Sequence, residues 1–263
     1  MLPLYEEIQD TLEIYLQESR HISPHLHKSI EIVYVTEGTL ELGIGQEFYH
    51  MDQGDFAIVF PDLIHHYQVF DSSNCMALYL LASPSLGGTY LPDLQQMCPK
   101  NPVIPSHSLH PDIPYAVHSL FDDASKEKNA VLHQAFIQII LARSIPTFQL
   151  IDKDTVGSAD IIYQTVSYIA AHFREPVTLT GMAHDLGFSQ YALSRVFSGT
   201  FHQNFNQYLN ETRLDYVCAL LQYTDQTITE AYENAGFDSQ RTFNRVFRER
   251  YHMSPREYRN LHK

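Results

Sequence analysis

From residue 21 to about 81 the chain alternates short apolar runs with turn residues. The runs are IEIVYV (30–35), TLELGI (39–44), EFYHM (47–51), FAIVF (56–60), HYQVF (66–70) and MALYLL (76–81). Glu37-Gly38, Gly45-Gln46, Gly54-Asp55 and the polar stretch 71–74 separate them. Short strands at this spacing predict a small antiparallel barrel or sandwich. Ahead of them, Leu4, Ile8, Leu12 and Leu16 recur at helical spacing and predict a short amphipathic helix within Met1–Arg20. Residues 84–114 hold seven prolines and are expected to be mostly loop. From 114 to 145 the period becomes helical, with apolar positions at Val131, Leu132, Ala135, Phe136, Ile139, Ile140 and Ala142. Two helices joined near Asp122–Lys126 are predicted, the second ended by Pro146. A linker over 150–158 leads into a zone with helical periodicity alone.

That last zone contains an internal repeat. Arg195-Val196-Phe197 recurs as Arg245-Val246-Phe247. At the same offset Ser189 matches Ser239, His202 matches His252, Tyr208 matches Tyr258 and Asn210 matches Asn260. Gly187-Phe188 returns as Gly236-Phe237 with a slip of one. Each copy reads as a short helix, a Gly-Phe turn, a capping Ser and a second helix. The first copy predicts helices over 180–186 and 190–200, the second a helix over 228–235 and another begun by Ser239. In the second helices Leu193, Val196 and Phe197, and then Phe243, Val246 and Phe247, face inward. Gln190, Tyr191, Ser194 and Arg195 are left outward in one copy; Gln240, Arg241, Asn244, Arg245 and Arg248 in the other. Arg can read guanine, Gln and Asn can read adenine, and Tyr can pack on a thymine methyl, so both sets suit a major groove. The bland alternative is a helical bundle with a solvated polar face, which two matched copies with Arg-rich outer faces make hard to sustain.

Charge sharpens this division. The formal net charge of −14 looks wrong for a nucleic-acid partner. Residues 1–157, however, hold 7 Lys+Arg against 20 Asp+Glu, and residues 158–263 hold 10 against 11. Positions 241–263 alone carry +5, and local charge decides at a Debye length of about 8 Å. The three cysteines, Cys75, Cys98 and Cys218, form no disulfide framework and point to a reducing, cytoplasmic compartment. No apolar run reaches the roughly 20 residues of a membrane span, so no membrane partner is expected.

The runs GFDSQRTFNRVFRERYHMSPREYRN (236–260) and GFSQYALSRVF (187–197) resemble the AraC/XylS-type transcription regulators over about 160–263. The resemblance implies two helix-turn-helix motifs joined by a long helix, here about Asn204 to Leu221. Their recognition helices would enter successive major grooves about 34 Å apart. By matching position it assigns Tyr191, Ser194 and Arg195, and then Gln240, Arg241 and Arg245, to base or phosphate contacts. Asn244 is added from its outward position. The sequence departs from the family at Ser198-Gly199, where Lys or Arg is usual, at His202 and His252, where Gly is common, and at Tyr232, where a small Ala usually packs. These departures imply that the second motif supplies more of the affinity.

In the first half, His25, His27 and Glu31 share parity along an extended strand and Gly38 follows, with His65 beyond Gly54-Asp55 and Pro61. This resembles the two cupin motifs, whose three histidines and one glutamate hold a divalent metal. Two further readings stay open. The same groups can hydrogen-bond a small organic effector without metal, or His25 and His27 can be incidental strand-entry residues. The second motif also lacks the Pro-x-Gly turn at Pro61-Asp62-Leu63, and His65-His66 leaves the inward histidine ambiguous. The expectation is a ligand-binding site at His25, His27, Glu31 and His65, with metal the alternative and no cofactor required.

The fold expected is therefore α+β multidomain: a cupin-like ligand-sensing β-barrel over 1–105, a helical dimerisation hairpin and linker over 106–157, and an all-α DNA-binding domain over 158–263. The function expected is a sequence-specific regulator whose barrel senses a small molecule, by family resemblance a sugar or other carbon-source metabolite. Its partners would be double-stranded DNA, the effector, a second copy of the chain and RNA polymerase. A metal-dependent cupin enzyme fused to a DNA-binding domain is the alternative. No Ser-His-Asp arrangement, P-loop or GxGxxG supports other enzymology.

Overall fold

The computed structural model describes residues 12–45, 47–69, 75–123, 129–153, 156 and 161–262. They fall into two compact units, divided between residues 158 and 159.

The first unit is built on antiparallel strands, as the alternating runs predict. In order they are β1 (Leu12–Glu18), β2 (Ile22–His25), β3 (Ile30–Glu37), β4 (Leu40–Ile44), β5 (Glu47–Met51), β6 (Phe56–Val59), β7 (His65–Gln68) and β8 (Met76–Ala82). After helix α1 (Leu91–Gln96) come β9 (Met97–Pro99) and β10 (Val103–Ile104). Helices α2 (Asp112–Asp123) and α3 (Ala130–Ser144) follow, then β11 (Leu150–Asp152). One sheet has the order β1-β8-β3-β6-β10, a second β2-β7-β4-β5, and β11 pairs with β9.

Register explains which side chains turn inward. Tyr15 lies opposite Tyr79, and Glu31 opposite both Leu81 and Val59, so Glu31, Val33, Tyr15 and Tyr79 share one face of the five-stranded sheet. The other face, with Ile30, Ile32, Ile58 and Leu80, is buried as well. There α2 packs over the sheet, with His118 edge-on to Tyr34. Strands buried on both faces read as near-continuous apolar runs, which is what IEIVYV and MALYLL show.

Three expectations need correction. Leu12–Glu18 is a strand paired along its length with β8 rather than part of a helix. The spacing of four between Leu12 and Leu16 satisfies period two as well as a helix, and the Ile14 between them tips it to strand. Residues 1–11 of that predicted helix lie outside the described residues. The stretch 84–114 is not mostly loop, because Pro84 and Pro92 stand in the first turns of a 3-10 helix and of α1, where a missing N–H costs nothing. The start of the expected 150–158 linker is β11, and Lys153 beyond it donates from Nζ to the carbonyls of Pro61 and Leu94, both at 2.6 Å.

The second unit holds α4 (Ile161–His172), α5 (Leu179–Leu186), α6 (Gln190–Gly199), α7 (Phe205–Tyr223), α8 (Ile228–Asn234), α9 (Gln240–Tyr251) and α10 (Pro255–His262). These match the two-copy grammar within a residue or two. Phe237, Phe243, Val246 and Phe247 pack with Leu214, Val217 and Leu221 of α7 in the core of the second copy. Tyr232 fills the place expected of a small residue by stacking on Phe243, ring centres 5.1 Å apart.

Candidate functional site

The two copies present their second helices in the same way. Ser189 caps α6 by accepting from the Ala192 N–H, and Ser239 caps α9 by accepting from the Thr242 N–H. Gly187 ends α5 at φ 72°, and Gly236 follows α8 at φ 82°. Leu193, Val196 and Phe197, and their counterparts Phe243, Val246 and Phe247, are buried. Gln190, Tyr191, Ser194 and Arg195 stand exposed on α6, Tyr191 at 72%. Gln240, Arg241, Arg245 and Arg248 stand exposed on α9, while Asn244 is half-buried and offers less of its amide than its outward position promised. Arg245 is also engaged, its Nη1 donating to the Glu249 carboxylate at 2.9 and 3.0 Å. An exposed pair of this kind holds by about 0–1 kcal/mol, so the guanidinium can exchange it for a phosphate or a base.

Residues that the repeat did not flag hold the copies together. Arg213 of α7 is buried; its Nε and Nη2 donate to the carbonyls of Phe173 and Glu175 at 2.7 and 2.9 Å, and its guanidinium lies over the Phe237 ring. One side chain thus joins the end of α4 to the second turn. The alignment of copies cannot reveal it, because it sits in the connecting helix and has no counterpart. A polar cleft beside it is lined by Asn206, Asn210, Thr242 and Arg245. His202 and His252 occupy left-handed conformations, at φ 51° and 55°, where a glycine would be unstrained.

In the first unit His25, His27, Glu31 and His65 do converge, all buried, with one donor atom from each within 4.8 Å of the others. They do not share one strand, however. His25 ends β2, His27 lies in the connection, Glu31 lies on β3 and His65 opens β7 opposite His25. The ambiguity at His65-His66 is resolved by strand alternation: His65 turns to the cluster, and His66 turns to the opposite face against Gly43 and Phe48. Asp62 takes the left-handed turn that the Pro-x-Gly pattern would have supplied, at φ 62°, and its N–H donates to the His27 carbonyl.

The hydrogen bonds define the chemistry. Nδ1 of His25, His27 and His65 lies 2.9, 3.2 and 2.9 Å from the carbonyl oxygens of Ser23, Ser29 and Leu63. A carbonyl only accepts, so each Nδ1 must donate. His27 and His65 place Nε2 2.8 Å from Glu31 Oε2, and Tyr67 donates to Oε1 at 2.8 Å. His25 Nε2 is buried with no hydrogen-bond partner. Burial, and then the neighbouring His65, hold its imidazole well below the ordinary pKa. Burial pushes the Glu31 carboxyl up, but the charge of His65 and the hydrogen bonds of His27 and His65 outweigh it and hold the acid below the usual carboxylate range. An unsatisfied buried acceptor costs about 1–3 kcal/mol, and His25 carries that cost in the protein alone. Tyr67, absent from the sequence reading, was recoverable: it lies two residues after His65 and so shares its face.

The family model described as AraC-like ligand binding domain matches residues 10–142, and one described as helix-turn-helix domain matches 182–261. The chain belongs to the AraC family. The regulatory protein SoxS of Escherichia coli (strain K12) is 31% identical over 100 residues, covering 38% of this chain and 94% of SoxS. An uncharacterized HTH-type transcriptional regulator of Staphylococcus aureus (strain COL) is 35% identical over 107 residues, or 41% of this chain. The match spans only 14% of that longer relative. In fold, the AraC-family chain resembles apo ToxT K231A of Vibrio cholerae at TM-score 0.50 and 12% identity, covering 96% of this chain and 98% of ToxT. No described helix is long and apolar enough to cross a membrane.

Proposed function

We propose that this chain is a ligand-responsive transcription regulator that docks α6 and α9 into successive major grooves of double-stranded DNA. The observation that carries this reading is the pair of identically capped helices, each burying an apolar triplet and leaving Arg, Gln and Ser or Asn outward. Gln190, Tyr191, Ser194 and Arg195 contact DNA from α6; Gln240, Arg241, Asn244, Arg245 and Arg248 contact it from α9. The His25, His27, Glu31 and His65 cluster receives a small polar effector. A second copy of the chain docks on the hairpin of α2 and α3, where Tyr115, Val131 and Ile139 are exposed apolar residues, Tyr115 at 70% and Val131 at 78%. Two copies would double the DNA contacts through effective concentration. RNA polymerase is the partner on which such a regulator acts in the cytoplasm.

The effector shifts DNA binding only by its differential affinity for two arrangements of the protein. The test is selection of binding fragments from a random DNA pool by the full chain. Enrichment of one sequence, lost in the Arg241→Ala/Arg248→Ala variant, is expected; enrichment retained in that variant would overturn the assignment of α9.

A further inference from the structure

Two hollows in the second unit adjoin along Val177, Thr178 and Asn206, which line both. One, of about 610 Å³, reaches Ser194 and Ser198 on α6. The other, of about 390 Å³, reaches Thr242 and Arg245 on α9. Together they make a polar trough between the outward faces of the two recognition helices. Helices seated in successive major grooves on one face of a duplex straddle the minor groove between them, and the phosphate strands beside that groove face the protein there. The surface between α6 and α9 therefore meets phosphate oxygens, which only accept hydrogen bonds.

The trough is supplied with unused donors. Arg213 is 6% exposed and lines the hollow beside α9. Its Nε and Nη2 are spent on the carbonyls of Phe173 and Glu175, but its Nη1 bonds none of the described residues. A buried guanidinium with an idle donor points to an acceptor from outside the chain. The amides of Asn206 and Asn210 likewise bond none of the described residues. Thr242 Oγ1 accepts from the Ser239 hydroxyl and so keeps its own proton to give. Three helices also begin here: Thr178 caps α5, while Asn206 and Thr242 stand in the first turns of α7 and α9. Their positive ends favour an anion. Asp238 is the only carboxylate among the described residues that line the hollow, against Arg213 and Arg245. We propose that the trough seats a phosphodiester of the DNA strand that crosses between the two major grooves, with Asn206, Asn210, Thr242 and the Nη1 of Arg213 as its donors. This rests on the DNA-binding reading and adds to it contacts that lie off the recognition faces and position the duplex rather than read it.

Arg213 also holds the fold, so Asn206→Asp is the better probe. Asn206 is exposed in the first turn of α7, where a carboxylate suits the helix dipole, so Tm should hold or rise. In the trough the same carboxylate meets phosphate, so affinity for a selected DNA fragment should fall about tenfold. Asn206→Lys should tighten binding and steepen its salt dependence by about one ion. The place of contact is read with the full chain by replacing single phosphates with uncharged methylphosphonates across the segment between the bases that face α6 and α9. At least one linkage there should weaken binding by the wild type, and that penalty should vanish in Asn206→Asp. Linkages without effect, or a penalty unchanged in Asn206→Asp, would overturn the trough and leave the recognition helices standing. Inorganic phosphate that raises Tm in the wild type but not in Asn206→Asp, with no linkage effect, would overturn it in favour of a free anion. A chain that selects no fragment at all would overturn the major-groove reading and the trough with it.

Discussion

Gly236 packs directly on the backbone of Arg174. A Cβ at Gly236 would stand 2.5 Å from the Arg174 carbonyl oxygen and 2.9 Å from its Cα. The turn of the second motif is therefore seated on the chain that leaves α4, beside the Arg213 bonds to Phe173 and Glu175. The contact at Gly236 is with backbone, which no side-chain rearrangement can relax.

Gly236→Ala should therefore cost about 2–4 kcal/mol, combining a left-handed residue with overpacking. Gly187→Ala, also left-handed but with open space around it, should cost only about 1–2 kcal/mol. Urea unfolding of both variants checks this. Equal losses would mean that the seat against Arg174 contributes nothing.

His252 ends α9 in the left-handed region at φ 55°. His252→Gly should relieve about 1–2 kcal/mol of backbone strain and surrender about 0.5–1 kcal/mol of entropy, leaving a small gain in Tm. A lower Tm would show that the imidazole holds a contact worth more than the strain.

The two recognition helices should contribute unequally to charge. Replacing Arg241, Arg245 and Arg248 together by Ala should flatten the salt dependence of DNA binding by about three ions, and Arg195→Ala by about one. Glu249→Gln should tighten binding by freeing Arg245 from its pair. Fluorescence anisotropy across a salt series measures all three. A steeper loss at Arg195 would reverse the assignment.

Burial pushes the thiols up, to about 11 at Cys98 and about 12 at Cys218, and raises Cys75 as well. Thiolate is the reactive form, so none of the three should react promptly with a disulfide reagent at about pH 8 in the native chain, and all should react in denaturant. Rapid stoichiometric labelling of the native protein would contradict the packing at these sites.

How far the sequence spoke depended on the range of each signal. The helix-turn-helix units were legible because their grammar is local: Ser189 and Ser239 cap the residues beside them, and the Gly-Phe turns stop the preceding helices. Arg213 was not, because its partners lie some forty positions away, at Phe173 and Glu175. The barrel cluster was half legible. His25, His27, Glu31 and His65 could be named from their types and order, but they meet across strands, and the sequence does not encode which carbonyl faces each Nδ1. Tyr67 shares the face of His65 and was within reach of period two. The first strand was misread because a spacing of four from Leu12 to Leu16 satisfies both periods.

The central claim is that one chain reads DNA through two helices on successive turns of one face. Hydroxyl-radical footprinting of the full chain on a selected fragment tests it most directly. The account predicts two protected windows about 10 base pairs apart, the one facing α9 lost in the Arg241→Ala/Arg248→Ala variant and the one facing α6 weakened with it. A single window, or two windows that both persist in that variant, would contradict it.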